Sequence, residues 1–189
     1  MINLRNRIFT LLIVLTVLVS AAASAIAVPV NTSQISDRFR VEKSVRKQLV
    51  TLPYYGVFDN LAFKVNGDTV TLYGQTVRPT TRTDAERRVR RIEGVRSVVN
   101  NIEVLPLSSF DDDIRRRAYR AIFNRGGLYR YALGANPSLH IVVNRGHITL
   151  EGVVANKLDK TLAYHAARGI PGVFSVTNNL RAERGERIG

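Results

Sequence analysis

The chain has 189 residues, 45% of them hydrophobic and 23% charged, a balance that suits folded domains and excludes a disordered chain. It contains no cysteine, which excludes a disulfide framework, a thiolate metal site, a thiol nucleophile and a lipid-accepting cysteine. The formal net charge of +13 points to a polyanionic partner, either nucleic acid or an anionic lipid or glycan surface.

Compartment separates those partners, and the first element speaks to compartment. Arg5 and Arg7 precede an apolar run from Ile8 to Val19, and the small residues that follow end in Ala25-Ile26-Ala27. This is the layout of a secretory signal peptide over residues 1–27, with cleavage expected after Ala27. No charge appears from Ile8 to Val30, about the length that spans a bilayer, so a retained anchor is the alternative. Both place the remainder outside the cytoplasm, where nucleic acid is not the expected ligand.

After this segment the chain repeats itself. With Val65-Asn66 set on Val143-Asn144, an offset of 78 residues, the register holds without a gap to Val104 and Ala182. Thr71-Leu72 falls on Thr149-Leu150, Gly74 on Gly152, Gly94-Val95 on Gly172-Val173, and Asn100-Asn101 on Asn178-Asn179. Upstream, the second copy carries extra sequence between Arg125 and Pro137.

Each copy opens with a helix, whose inner face is Val41, Val45, Leu49 and Leu52 in the first and Ile114, Ala118 and Ala121 in the second. An alternating strand follows, Leu61-Phe63-Val65 and Leu139-Ile141-Val143, then a tight turn at Asn66-Gly67-Asp68 and Asn144-Arg145-Gly146. A second strand, Val70-Leu72 and Ile148-Leu150, leads to a second helix faced inward by Ala85, Val89 and Ile92, matched by Ala163, Ala167 and Ile170. Thr83 and Glu86 could form the capping box of that helix in the first copy. Glu93-Gly94 and Pro171-Gly172 stop the helices, and a last strand runs from Val98 to Val104 and from Val176 to Leu180. The class is α+β: two tandem α-β-β-α-β domains, each a three-stranded mixed sheet covered by helices. The expected boundaries are 37–105 and 112–183, with 106–111 as linker and 184–189 as tail.

These residues resemble the BON domain family. The likeness rests on the hydrophobic-x-Gly after the hairpin, Leu72-Tyr73-Gly74 and Leu150-Glu151-Gly152, and on Gly94-Val95-Arg96-Ser97-Val98-Val99-Asn100 with Gly172-Val173-Phe174-Ser175-Val176-Thr177-Asn178. It covers nearly all of residues 37–183. A signal peptide before two such domains is similar to the osmotically inducible periplasmic type. The resemblance implies the α-β-β-α-β fold, a periplasmic location, binding to phospholipid surfaces or envelope stress protection, and no enzymatic activity. The lipoprotein branch acylates a cysteine, and this chain has none, so the soluble branch is the better match.

No catalytic or metal constellation is apparent, and no cofactor is expected. His140, His147 and His165 read as solvated positions without an acidic partner spaced to complete a site. Asp111-Asp112-Asp113 reads as capping the helix that follows. Gly74, Gly94, Gly152 and Gly172 read as backbone devices, the pair after the hairpin as a bulge or a close helix approach. Asn100 and Asn178 read as satisfying loop backbone.

The candidate binding face is the first helix of the second copy. Arg116, Tyr119, Arg120 and Phe123 are expected to face outward, with Arg115 and Arg117 on the flanks. Guanidinium groups would meet lipid phosphates while the rings enter the interface; the alternative is that Tyr119 and Phe123 pack against the other copy. Arg87, Arg90 and Arg91 form a secondary basic face in the first copy, beside Lys43, Arg46 and Lys47 on its first helix. The partners in view are an anionic phospholipid surface or envelope proteins, the latter in a chaperone-like role. Oligomeric state is left open.

Overall fold

The computed structural model describes residues 32–134 and 136–184. The signal-peptide reading at 1–27 and the end of the 184–189 tail lie outside the described residues. From Thr32 onward the chain is one compact unit that contains both copies.

The first copy contains α1 (Thr32–Val50), β1 (Asn60–Asn66), β2 (Thr69–Thr76), α2 (Pro79–Val89) and β3 (Ser97–Val104). The second contains α3 (Ser109–Phe123), a 3₁₀ turn (Leu128–Tyr131), β4 (Leu139–Asn144), β5 (His147–Asn156), α4 (Lys157–Arg168), β6 (Ser175–Asn178) and β7 (Arg181–Arg184). The order α-β-β-α-β therefore holds twice. In each copy the hairpin strands pair antiparallel, and the third strand returns parallel beside the second. A parallel return needs a crossover, and α2 and α4 supply it. The strand read as running through Leu180 is in two pieces. β6 and β7 each pair with β5, at His147–Leu150 and beyond Val153, so they occupy one position in the sheet. The Leu180 amide between them donates to the Asn178 Oδ1 (3.2 Å).

The cores follow the sequence pattern. Val45, Leu49, Ala85, Val89, Val65, Val70, Leu72 and Ile102 bury one cluster. Ile114, Ala118, Ala163, Ala167, Ile141, Val143, Ile148 and Leu150 bury the other. At the end of α3 the inner position belongs to Ile122, and Ala121 is half-buried.

Two helix starts differ from expectation. α2 begins at Pro79, with Arg78 as its cap residue, so Thr83 is already inside the helix and returns its hydroxyl to the Pro79 carbonyl (3.3 Å). Proline at the first helical position lacks an N–H that would be unsatisfied anyway, and this outweighs the Thr83–Glu86 capping box. α3 is capped by Ser108, whose hydroxyl accepts from the Asp111 N–H (3.1 Å). Asp111 is thereby released for another task, described below.

The copies meet along β4, which is buried from Leu139 to Val143 where alternation predicts every second residue. The loop between α1 and β1 covers its free edge. The Ile141 N–H donates to the Val57 carbonyl (2.7 Å), and Val57 and Phe58 pack onto the second core.

Candidate functional site

α3 was expected to present a mixed aromatic and basic face, and the structure divides that set. Phe123 does not face outward: it is 4% exposed, lies in the second core and stacks edge-on to Tyr119 (centroids 4.9 Å apart). Tyr119 in turn meets Phe58 of the first copy (6.3 Å). Tyr119 thus touches the other copy through Phe58 while staying partly exposed, and Phe123 turns into the core of its own copy. Arg115 is also not a surface group. It is 4% exposed, with one guanidinium nitrogen donating to the Asp112 carboxylate (2.6 Å) and another to the Val143 carbonyl (2.7 Å). Contacts within the second copy itself remove Arg115 and Phe123 from the candidate face.

What remains outward is Tyr119, 41% exposed, and basic residues. Arg116 and Arg120 are exposed, and Arg116 pairs with Asp113. Arg117 is half-buried against the following loop, donating to the Pro171 carbonyl (3.0 Å). In the first copy Arg87, Arg90 and Arg91 are exposed, but Arg87 is paired with Asp84 and Arg90 with Glu86.

A further aromatic patch lies at the start of α3 and over the hairpin turn. Phe110 is 42% exposed and Phe174 69% exposed, with ring centroids 6.0 Å apart. Leu107, just before α3, is 95% exposed. His147 lies edge-on to Phe174 (5.7 Å) and its Nδ1 is 2.7 Å from the Ser175 hydroxyl. The turn beneath is built to hold these rings. Arg145 and Gly146 both have positive φ (52° and 79°), the signature of a type I′ hairpin. A Cβ at Gly146 would meet the Phe174 ring at 2.7 Å, so only glycine lets Phe174 lie there. Asp111, wholly buried, grips the turn by accepting from the Arg145 and Gly146 amides (2.8 Å each). The Asp111-Asp112-Asp113 run thus clamps the turn through its first member, while Asp112 and Asp113 pair with Arg115 and Arg116.

The repeat shows that this tip is not a demand of the fold. Phe174 corresponds to Arg96, which in the first copy pairs with Asp68 of its own turn (3.5 Å). One copy closes this end with an ion pair, the other with exposed rings. An aromatic residue at a loop position where the other copy carries arginine was the sequence signal for Phe174.

The remaining motif residues are structural. Gly74 and Gly152 sit at φ 110° and 115°, and a Cβ on either would overlap the carbonyl of Asn60 or Ser138 on the partner strand. The close approach is strand to strand, not to a helix. Gly94 and Gly172 take positive φ (87° and 85°) after the helices. Asn100 and Asn178 join helix to strand in the same way. Their amide groups donate to the Arg82 and Lys160 carbonyls (3.1 and 3.0 Å), and their oxygens accept from Ile102 and Leu180. The backbone they satisfy is that of α2, α4 and β3, and in the second copy also the loop between β6 and β7.

His140 is not solvated. It is 7% exposed, with Nδ1 3.2 Å from the Gly56 carbonyl and Nε2 3.4 Å from the Tyr55 hydroxyl. A carbonyl can only accept, so the proton sits on Nδ1 and Nε2 accepts from Tyr55. Burial pushes the imidazole below its usual pKa and raises the Tyr55 phenol to about 12. Among the described residues no group of three histidine or carboxylate side chains is placed to hold a metal ion. No helix among them is long and apolar enough to cross a membrane.

Comparison with known protein families gives matches that together span most of the chain. Residues 37–106 and 111–184 each match the BON domain. No curated protein matches the sequence. Two solved structures of CdsD, a structural protein of the type III secretion system of Chlamydia trachomatis, are similar to this chain. One, of the C-terminal domain, is 11% identical over 80% of this chain and 98% of its own (TM-score 0.32). The other is 10% identical over 77% and 94% (TM-score 0.30).

Proposed function

Because the chain belongs to the BON domain family, carrying the domain twice, we propose that it is a non-enzymatic protein of the bacterial periplasm that binds anionic phospholipid surfaces. The observation that carries this reading is the second copy's tip, where Phe110 and Phe174 are exposed over the turn that carries Arg145, with exposed Leu107 just before α3 and exposed Arg116 and Arg120 further along it. Arg116 and Arg120 reach solvent without a core partner, and each cation near an anionic bilayer contributes about 1 kcal/mol. A phenylalanine moved from water into the interface adds roughly 2 kcal/mol. Two rings and three or four arginines give reversible attachment, strongest where lipid phosphates are dense. The net charge, +13 for the whole chain and 13 − 2 = +11 without Arg5 and Arg7, draws the molecule toward such a surface before contact is made. The signal-peptide pattern at residues 1–27 supports the periplasmic location.

The test is co-sedimentation of the purified protein with phosphatidylglycerol vesicles and with phosphatidylcholine vesicles, at low and at physiological salt. Binding to the anionic vesicles alone is expected, falling as salt rises. Phe174→Ser and the pair Arg116→Glu with Arg120→Glu are each expected to weaken it at least tenfold. Absence of binding at both salts would overturn the reading and favour a chaperone-like partner of envelope proteins, which would be tested by suppression of client aggregation.

A further inference from the structure

The second copy has a cleft of about 440 Å³ beside α4, lined by Lys157, Lys160, Thr161, Tyr164, Asn178 and Ala182. It lies at the start of α4, whereas the loop carrying Phe174 follows the other end of that helix. The repeat supplies a control for what this place does. Its counterparts in the first copy are Pro79, Arg82, Thr83, Glu86, Asn100 and Val104. There the Glu86 carboxylate fills the position: one oxygen accepts from the Asn100 amide (3.0 Å) and the other pairs with Arg90. Asn100 uses its amide for two acceptors, Glu86 and the Arg82 carbonyl.

In the second copy the frame is kept and the anion is not. Asn178 donates to the Lys160 carbonyl (3.0 Å), as Asn100 does to Arg82. Arg168 stands where Arg90 stands, and lysines occupy 157 and 160. Glu86 is replaced by Tyr164, which brings a ring and no charge. The nearest acidic residue of α4, Asp159, is committed elsewhere. It is buried and engaged by Arg130 and the Tyr131 hydroxyl (2.6 Å each). No ion pair among the described residues neutralises Lys157 or Lys160.

We infer that this cleft is a binding site for one phosphate or carboxylate group carried on an apolar body. The external anion takes the place that Glu86 holds in the first copy, with Lys157 and Lys160 as counter-charges and the second Asn178 N–H as donor. The rest of the molecule lies on the Tyr164 ring and Ala182. The site does not depend on the lipid reading, since both a lipid headgroup and a free amphiphilic acid carry this chemistry.

Amide chemical shifts of the full chain, followed during titration, test the inference, with hexyl phosphate as the soluble probe and phosphatidylglycerol nanodiscs as the lipid probe. The key variant is Tyr164→Glu, which restores the first copy's own carboxylate and so preserves a folding solution the protein already uses. Saturable shifts at Lys160, Thr161 and Asn178 are expected. Tyr164→Glu and the pair Lys157→Gln with Lys160→Gln should each weaken them at least tenfold. Sensitivity to Tyr164→Glu in either arm supports the site and identifies which source fills it. Shifts that map elsewhere, or that survive Tyr164→Glu in both arms, overturn it. Loss of vesicle binding caused by Phe174→Ser would leave the hexyl phosphate arm unchanged, which separates this site from the tip.

Discussion

At the scale of single residues, the second copy's hairpin tip rests on Asp111. A two-residue type I′ turn asks for positive φ at both positions, and Arg145 is a side chain that pays for that conformation in strain. The first copy has Gly67 in its place. The buried carboxylate of Asp111 offsets the strain by accepting from both turn amides. Asp111→Asn supplies only one oxygen and sets an amide N–H against a backbone N–H. Loss of a charged hydrogen bond at a buried site costs about 2 kcal/mol. Urea unfolding should show that loss for Asp111→Asn, and a change within about 0.5 kcal/mol for Asp113→Asn, whose pair with Arg116 is on the surface. Equal effects of the two substitutions would contradict the clamp. Because Phe174 lies on this turn, Asp111→Asn should also weaken vesicle binding.

At the scale of elements, the extra sequence of the second copy explains itself through one tyrosine. The 3₁₀ turn Leu128–Tyr131 has no counterpart in the first copy, and Tyr131 carries it into the core. Its hydroxyl donates to Asp159 at the start of α4 (2.6 Å) and accepts from the Ala155 N–H at the end of β5 (2.8 Å). Arg130 closes the group on the same carboxylate and lies over the Tyr131 ring (4.6 Å). Tyr131→Phe keeps the ring and removes the hydroxyl, leaving the Ala155 amide unpartnered. The expected cost is about 1–3 kcal/mol in the free energy of urea unfolding. The order of elements was legible in the sequence because both copies state it, and in-register agreement at Gly74 and Gly152 ties a shared backbone need to a shared position. The helix starts were less legible. Capping is decided within one turn, where Pro79 and Ser108 compete with Thr83 and Asp111, and periodicity does not rank them.

At the scale of the molecule, the part of the site that sequence misplaced is the part that depends on how the copies meet. A helical wheel gives α3 one inner arc, but Phe123 turns into the core of its own copy and Tyr119, still partly exposed, meets Phe58 of the first copy. Neither Phe58 nor Tyr119 advertises that meeting in its own local pattern. The same contact buries His140, which every local rule leaves on the solvent side of β4. A histidine held neutral at a contact makes that contact sensitive to acid. Burial lowers its folded pKa below the usual value, while Asp59 nearby opposes the shift and Tyr55 stays protonated throughout. The unfolded chain therefore binds the proton more readily, and stability falls as pH drops from about 7 toward 5. Above the ordinary histidine range both states are neutral and the dependence ends. Carboxylates titrate lower and add their own slope, so the informative quantity is a difference between variants. His140→Gln retains a donor for the Gly56 carbonyl and removes the titration. The urea midpoint of the unaltered protein should fall between pH 7.5 and 5.5 by more than that of His140→Gln. Parallel curves for the two proteins would show that acid acts on the molecule somewhere other than the contact between its copies.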